Sequence, residues 1–336
     1  MYLTFYGLKE KPFNATPDPG FLYLTPGHRE ALAQLLYGVQ MKKGFIVLTG
    51  EVGTGKTTLL HTLLQRLDGN ASVAFIFNSM LPFDGILEYM LEDFGVAKGA
   101  TTNAQRLFAL NSFLIDRRRT GQNAILILDE AQNLDPSTLE QVRLLSNFET
   151  PTEKLLQILL VGQPELGAKL QLPELRQLKQ RIGLRCNIPP LTSEQTPDYI
   201  RSRLQVAGAR DLGLFTDRAV ARICEYTGGV PRVINIVCDH CLLFGYADQK
   251  RKIDRDIVEQ AIEYVEEGRR ERRPATGGSQ SRWVTALQWV LGVLAVAPLG
   301  WVAFLVVGPD VLRNAPSLAA TYLLDLLRSV RDLLVR

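Results

Sequence analysis

Short apolar runs alternate with amphipathic stretches through the first part of the chain. Four of these runs are almost uniformly apolar, at Phe45–Leu48, Val73–Phe77, Ile125–Leu128 and Leu155–Val161. Strands that are apolar on both faces are typical of a parallel sheet covered by helices on both sides. The pattern therefore predicts an α/β core, including an N-terminal lead segment, over residues 1–191.

The pattern changes at about residue 192. Strand-like runs stop there and helical spacing of apolar residues dominates, which predicts a smaller helical domain at 192–267. Residues 268–282 are basic, rich in Gly and Ser, and contain a proline, which is typical of a linker. Residues 283–307 carry no charge, and a short amphipathic tail follows at 308–336.

The uncharged segment 283–307 is long enough to cross a bilayer. At about 1.5 Å per residue it exceeds the ~30 Å hydrocarbon core, so it predicts a transmembrane helix; a buried core helix is the alternative. Basic residues are concentrated before the segment, which by the positive-inside rule places its N-terminal side in the cytoplasm. We expect a single-pass protein of the bacterial inner membrane with a non-cytoplasmic tail. The flanking arginines are Arg269, Arg270, Arg272, Arg273 and Arg282 before the segment and Arg313 after it.

A complete phosphate-binding motif, G-x-x-x-x-G-K-[ST], follows the first apolar run and precedes the amphipathic stretch Thr57–Leu67. Glycines let backbone N–H groups turn towards phosphate oxygens, and a helix N-terminus adds partial positive charge. Lys56 is predicted to reach the β- and γ-phosphates of ATP, and the Thr57 hydroxyl to bind Mg²⁺. The predicted nucleotide-binding residues of this P-loop are Gly50, Glu51, Val52, Gly53, Thr54, Gly55, Lys56, Thr57 and Thr58.

Two carboxylates end the third apolar run. Asp129 follows Leu128 directly and is predicted to hold the Mg²⁺ shell, while Glu130 is placed to polarise an attacking water. A buried strand that ends in two carboxylates needs a cation to offset their charge. Together with the phosphate-binding motif, the pair predicts a Mg²⁺-dependent ATPase.

Charge and cysteine content narrow the possible functions. The formal net charge of +3 gives no general case for nucleic-acid binding, which usually shows a marked basic excess. The four cysteines lie in no short secreted-type framework. Cys238 and Cys241 are separated by two residues, but a structural zinc site needs four ligands, so packing inside a helix is the preferred interpretation. His28 receives no catalytic role.

Six blocks of the sequence, in the same order, resemble the general secretion pathway protein A family of AAA+ ATPases. The family implies a P-loop AAA+ core followed by a helical lid. Longer members carry a peptidoglycan-binding region after the membrane helix, so the match is expected to be with the shorter relatives at exopolysaccharide and exosortase loci. The blocks are FYGLKEKPFNATPDPGFLYLTPGHREAL, GEVGTGKTTLL, LILDEAQNL, LLVGQPEL, LKQRIGLRCNIPPL and TGGVPRVINIVCDHCLL.

The resemblance also implies roles for three further residues. Gln163 resembles the polar sensor-1 residue that contacts the γ-phosphate or the water. Arg181 resembles the arginine finger presented to a neighbouring subunit's ATP, with Arg176 and Arg185 as rivals. Arg232 resembles the sensor-2 arginine at the start of a lid helix. The finger implies a homo-oligomer that completes its sites in trans.

These observations leave two main functions open. One is an ATPase that drives assembly or export of an envelope component, with secretion, pilus or polysaccharide proteins as partners. The other is a DNA-associated ATPase like the relatives that assist transposition, although a membrane span disfavours it and makes nucleic acid an unexpected partner. A scaffold that binds ATP without turnover is disfavoured by the intact Lys56, Asp129 and Glu130.

Overall fold

The α/β core and the helical lid both lie within Met1–Glu267. The computed structural model describes residues 2–14, 19–21, 23–67, 69–77, 80–96, 99 and 102–272. The predicted membrane segment, the tail and most of the linker lie outside the described residues. Among the helices that are described, none is long and apolar enough to cross a membrane.

In the part of the chain that the structure describes, one or two α-helices separate successive strands up to β5, and no strand of the sheet follows β5. The strands are β1 Phe45–Gly50, β2 Ala71–Ile76, β3 Asn123–Leu128, β4 Leu156–Gly162 and β5 Ile182–Ile188. The helices are α1 Tyr2–Tyr6, α2 Pro26–Gln40, α3 Lys56–Leu67, α4 Phe83–Asp93, α5 Asn103–Arg119, α6 Pro136–Leu145, α7 Pro164–Lys169, α8 Arg176–Arg181, α9 Gln195–Val206, α10 Asp217–Thr227, α11 Pro231–Ala247 and α12 Arg255–Arg272.

The five strands form one parallel sheet in the order β2-β3-β4-β1-β5. The predicted α/β class is therefore confirmed. Strands β1, β3 and β4 lie in the interior of the sheet, and their side chains are buried on both faces, which is why they read as continuous apolar runs. Because all strands are parallel, their carboxyl ends meet at one edge of the sheet, where ligands of such folds bind.

Strand β5 is not among the predicted runs. Its residues alternate between exposed side chains, such as Arg185 and Asn187, and the buried Cys186 and Ile188. It lies at the edge of the sheet and pairs only with β1 among the described strands. A strand half open to solvent needs no continuous apolar run, so the pattern that reveals interior strands does not reveal this one.

The sheet separates two apolar clusters, and the lid has a third. Phe45 and Leu126 belong to the cluster on one face, while Ile46 and Ile127, their next neighbours along the strands, belong to the cluster on the other. This alternation follows from the period of two residues along a strand. Both faces are thus covered, as the apolar runs predict.

The lid contains α9, α10, α11 and α12, and its apolar cluster includes residues from the start of the chain. The Tyr2 hydroxyl donates to an Asp239 carboxylate oxygen at 2.8 Å, and the Tyr6 hydroxyl to the Lys250 carbonyl at 3.0 Å. The predicted core, residues 1–191, includes the lead segment that precedes α2, but the start of this segment, with Tyr2 and Tyr6, packs in the lid. Its aromatic rings pack against apolar residues of the lid, and the local sequence does not predict this packing.

Candidate nucleotide-binding site

The P-loop lies between β1 and α3 at the carboxyl edge of the sheet. Gly53 and Gly55 have φ angles of +83° and +98°, which side chains rarely adopt. A Cβ on Gly53 would also lie 2.4 Å from the Cβ of Arg232. Both glycines are therefore required by the loop conformation, and the second half of the motif leads directly into the N-terminus of α3.

Lys56 lies inside the loop rather than on its surface. Its side chain is buried, and its Nζ donates to the carbonyls of Gly50 at 2.8 Å and Glu51 at 3.0 Å. Burial lowers the pKa of Lys56, while the carboxylates of Glu130 and Asp129 act in the opposite direction. Two loop carbonyls thus hold the Lys56 ammonium group, and phosphate oxygens can take their place as hydrogen-bond acceptors.

Asp129 and Thr57 face each other across the end of β3. Thr57 acts to lower the pKa of the Asp129 carboxylate, and the backbone N–H of Glu130 donates to Asp129 Oδ1 at 2.9 Å. Burial raises the pKa of Asp129, and the neighbouring Glu130 charge adds to the increase. A buried carboxylate next to a hydroxyl is a donor set that suits a hard cation such as Mg²⁺.

Two glutamines hold Glu130. Its Oε2 accepts from Gln132 Nε2 at 2.6 Å and from Gln163 Nε2 at 3.1 Å, and the Gln163 backbone N–H donates to Gln132 Oε1 at 3.1 Å. Burial acts to raise the pKa of Glu130, but these hydrogen bonds and the charge of Lys56 outweigh it, so the pKa lies below its ordinary value. The carboxylate is therefore ionised at neutral pH. Gln163 lies where the resemblance implies, at the end of β4.

Gln132 is a site residue that the sequence pattern does not predict. It follows the two carboxylates within the same motif, yet a glutamine after a strand carries no chemical signal of its own. The left-handed conformation of Glu130, with a φ of +52°, turns the chain so that the side chains of Glu130 and Gln132 meet. Sparsely populated backbone conformations of this kind cluster at functional sites.

The lid reaches the P-loop at the start of α11. The backbone N–H of Arg232 donates to the Gly53 carbonyl at 3.2 Å, and the Arg232 side chain is exposed at the cavity lining. Leu191 also donates from its N–H to the Gly229 carbonyl at 2.9 Å. The structure thus places Arg232 beside the phosphate end of the cavity.

The three finger candidates differ in their surroundings. Arg181 is half-buried, and its Nη1 donates to Ser146 Oγ at 2.5 Å and Asn147 Oδ1 at 2.6 Å in its own chain. Arg176 and Arg185 are exposed. Arg181 therefore already has partners at the end of α6, which the sequence does not reveal.

A cavity of about 360 Å³ extends from the P-loop between the core and the lid. Its phosphate end contains Lys56, Thr57 and Glu130. Its other end, which we call the aromatic end, is lined by residues that the sequence analysis did not identify. These are Asn14, Phe21, Tyr23, Tyr199, Arg203 and Asn235.

The aromatic end is a connected polar and aromatic cluster. The Arg203 guanidinium lies 4.8 Å from the centre of the Phe21 ring and donates to the Tyr199 hydroxyl at 3.0 Å. Tyr199 in turn donates to Asn235 Oδ1 at 2.9 Å, and its ring packs edge to face against Tyr23. Three chain segments meet here, the lead segment, α9 and α11, and no motif of known chemistry assigns their residues to a site.

The cysteines and histidine of the CDHC sequence do not form a metal site. Cys238 and Cys241 are fully buried in the apolar cluster of the lid, and burial raises the pKa of both thiols. His240 donates from Nδ1 to the Ile236 carbonyl within α11 at 2.7 Å. Packing of the cysteines inside a helix is thus confirmed.

The chain is similar to known proteins with an AAA domain. Residues 39–170 match a family described as an AAA domain. General secretion pathway protein A of Aeromonas hydrophila is 39% identical over 302 residues, which cover 90% of this chain and 53% of the relative. The chain thus spans about half the length of that relative.

Solved structures of low identity share the fold. The ADP form of the ORC2 protein of Aeropyrum pernix is 20% identical, with a TM-score of 0.57 over 76% of this chain and 73% of that one. The ORC1 protein of the same organism, in complex with DNA, is 18% identical, with a TM-score of 0.57 over 76% and 69%. At such identities the likeness shows the fold alone. The resemblance to the general secretion pathway protein A family is confirmed, and residues 39–170 match the AAA domain.

Proposed function

We propose that the chain is a Mg²⁺-dependent ATPase, anchored in the bacterial inner membrane, that drives assembly or export of a cell-envelope component. One observation carries the enzymatic part. Lys56, the adjacent pair Asp129 and Glu130, and Gln163 come from three separate parts of the chain and converge at the edge of the sheet where the P-loop ends. Phosphoryl transfer needs a cationic side chain, a carboxylate that can bind a metal ion and an ionised general base around the phosphates.

The nucleotide would occupy the cavity with its phosphates at the P-loop and its base at the aromatic end. Thr57 and Asp129 would hold Mg²⁺, because a hydroxyl and a carboxylate are oxygen donors of the type this ion takes. When bound, Mg²⁺ neutralises charge on the phosphate oxygens. The N-terminus of α3 and the loop's backbone N–H groups would supply the remaining stabilisation.

Glu130 would orient the attacking water and accept its proton. Its lowered pKa keeps the carboxylate ionised, which is the form that can accept a proton. Gln132 and Gln163 occupy the same oxygen of this carboxylate, so the water would approach the other one or replace a glutamine. Gln163 would then contact both the Glu130 carboxylate and the γ-phosphate.

The decisive experiment replaces Glu130 by Gln in the full chain. Loss of a positioned general base costs about 10²–10⁴ in rate, so hydrolysis should fall by that factor while ATP remains bound. Phosphate release and binding of a fluorescent ATP analogue measure the two properties separately. Glu174→Gln, at an exposed position of the same domain, is the matched control. Equal turnover in Glu130→Gln and wild type would remove Glu130 from this role.

Assembly is part of the proposal because the finger would come from a neighbouring subunit. An arginine finger is worth about 10³–10⁵ in rate, so an isolated subunit should be nearly idle and specific activity should rise with concentration. Mixing Arg181→Ala with Glu130→Gln subunits should restore some turnover, since one composite site carries both intact residues. A monomer whose specific activity does not depend on concentration would contradict the assembly.

The pathway is inferred from the relative's name and from the uncharged segment. General secretion pathway protein A is named for secretion, and the chain matches it over 90% of its own length. A reporter that works only outside the cytoplasm should be active after Arg336 and silent after Gly268 in a truncated chain. An inactive full-length fusion would contradict the anchoring.

The DNA-associated alternative is supported less well. The ORC1 structure is described in complex with DNA, but the likeness concerns the fold alone. The net charge of +3 provides little attraction for a phosphate backbone. Stimulation of the ATPase by duplex DNA, with no effect of lipid vesicles, would favour this alternative.

A further inference from the structure

His28 connects the end of the lead segment to the P-loop. It lies near the start of α2 and is only 4% exposed. Its Nδ1 lies 2.6 Å from Thr25 Oγ1, and its Nε2 lies 2.9 Å from the Thr54 carbonyl oxygen. Both ring nitrogens therefore have hydrogen-bond partners, Nδ1 in the residue before α2 and Nε2 in the P-loop.

The two contacts determine the protonation of the ring. A carbonyl oxygen can only accept, so Nε2 carries the proton and donates to Thr54. In the neutral ring Nδ1 then accepts from the Thr25 hydroxyl, which itself accepts from the His28 backbone N–H at 3.2 Å. Burial lowers the pKa of His28, in agreement with a neutral ring. Thr25 is also the N-cap of α2, so the cap and the ring orientation depend on one hydroxyl.

The contact with Thr54 determines the orientation of a peptide group inside the P-loop. A trans peptide is planar, with its carbonyl and N–H pointing in opposite directions. When the Thr54 carbonyl points at His28, the Gly55 N–H must point away from it, as a phosphate ligand requires. A Cβ on Gly55 would lie 3.3 Å from His28 Nε2, so the ring also occupies the space beside this glycine.

We infer that His28 is a positioning residue that pre-organises the P-loop for the β-phosphate through Thr54, with Thr25 orienting its ring. The inference rests on the nucleotide-binding function proposed above and adds a residue that no phosphate-binding motif includes. Without the histidine, the buried Thr54 carbonyl loses its partner, and the Thr54–Gly55 peptide can rotate. Binding the β-phosphate then requires the loop to be ordered at the same time.

The test compares variants of the full chain by their affinity for fluorescent ADP and fluorescent AMP. An unsatisfied buried acceptor corresponds to a loss of about tenfold or more, so His28→Leu should bind ADP about tenfold more weakly. AMP has no β-phosphate and should be affected less than threefold or so on the same reasoning. His28→Gln retains a donor near the position of Nε2 and should recover part of the ADP affinity. Thr25→Val should show a smaller loss of the same kind, and Thr25→Ser should resemble wild type.

His240→Leu is the matched control, because it removes a half-buried ring whose partner is a carbonyl of the lid. It should leave ADP affinity unchanged whatever it does to the thermal unfolding of the nucleotide-free protein. ADP affinity within twofold of wild type in His28→Leu would overturn the inference, as would equal losses for ADP and AMP. If wild type itself binds no ADP, the proposed function fails together with the inference; if wild type binds and Lys56→Ala does not, only the inference is at stake.

Discussion

The phosphate end and the aromatic end of the cavity are built in different ways. The phosphate end is built mainly on eight consecutive residues, Gly50–Thr57, and on our proposal it would bind phosphates through backbone N–H groups together with Lys56. The aromatic end uses side chains from three segments, of which Phe21, Tyr199 and Asn235 are examples. A nest of successive backbone N–H groups is contiguous in sequence, whereas a site made of side chains can be collected by the fold. The first is therefore readable as a motif and the second is not.

The difference also concerns rigidity. The P-loop is fixed by the sheet, by α3 and by hydrogen bonds to Lys56 and His28. The aromatic end lies between the lead segment and α9 and α11 of the lid. Its residues are joined by the contacts of Arg203 and Tyr199 rather than by a shared element. Phosphate affinity and base affinity should accordingly respond to different substitutions.

The largest effect is expected from Lys56→Ala. The substitution removes two charge-assisted hydrogen bonds to the phosphates, each worth about 1.5–3 kcal/mol, so affinity for ATP should fall at least about 100-fold. Inorganic triphosphate should lose affinity to a similar extent, because its contacts are the same. Competition against a fluorescent nucleotide measures both, and the exposed Lys179→Ala is the control. Loss of ATP binding alone would show that Lys56 does not act on the phosphates.

A smaller loss of affinity, confined to ligands that carry a nucleobase, is expected from Tyr23→Ala. Stacking of a base on an aromatic ring is worth about 1–3 kcal/mol, so affinity for ATP should fall roughly tenfold. Inorganic triphosphate has no base, and its affinity should not change. Tyr37→Ala, which removes an exposed ring of α2, is the matched control. A parallel decrease for ATP and triphosphate would mean that the two ends are not separate sites.

The smallest effect distinguishes the finger candidates. Arg181→Ala removes hydrogen bonds to Ser146 and Asn147, and should lower the free energy of unfolding by about 1–2 kcal/mol even in an isolated subunit. Arg176→Ala removes an exposed side chain and should leave stability unchanged. Denaturant unfolding at low concentration measures this difference.

The rates of these two variants then identify the finger. If Arg176→Ala abolishes concentration-dependent hydrolysis and Arg181→Ala retains it, Arg181 is a structural residue of its own chain. If only Arg181→Ala loses turnover, the bonds to Ser146 and Asn147 are exchanged for the neighbour's nucleotide on assembly. Arg185→Ala completes the set, because this residue is also exposed.

Much of the core was predictable because its signals are local. Interior strands such as β3 and β4 are apolar on both faces, and the loop that follows β1 contains its whole motif. Edge strand β5 was missed, since its alternating exposure resembles ordinary surface sequence. Gln132 and His28 were missed for another reason: each acts through a partner, Glu130 or Thr54, whose position depends on the folded chain.

The sequence by itself determined the parallel sheet, the P-loop with Lys56, and the carboxylates Asp129 and Glu130, because apolar periodicity and backbone-binding motifs are properties of neighbouring residues. Only the tertiary structure decided that the start of the lead segment packs in the lid, that Arg181 bonds to the end of α6, and that three segments form the aromatic end. These arrangements depend on which surfaces meet when long-range contacts form. That choice is made by packing and hydrogen-bond satisfaction over the whole unit, and no short stretch of the chain contains it.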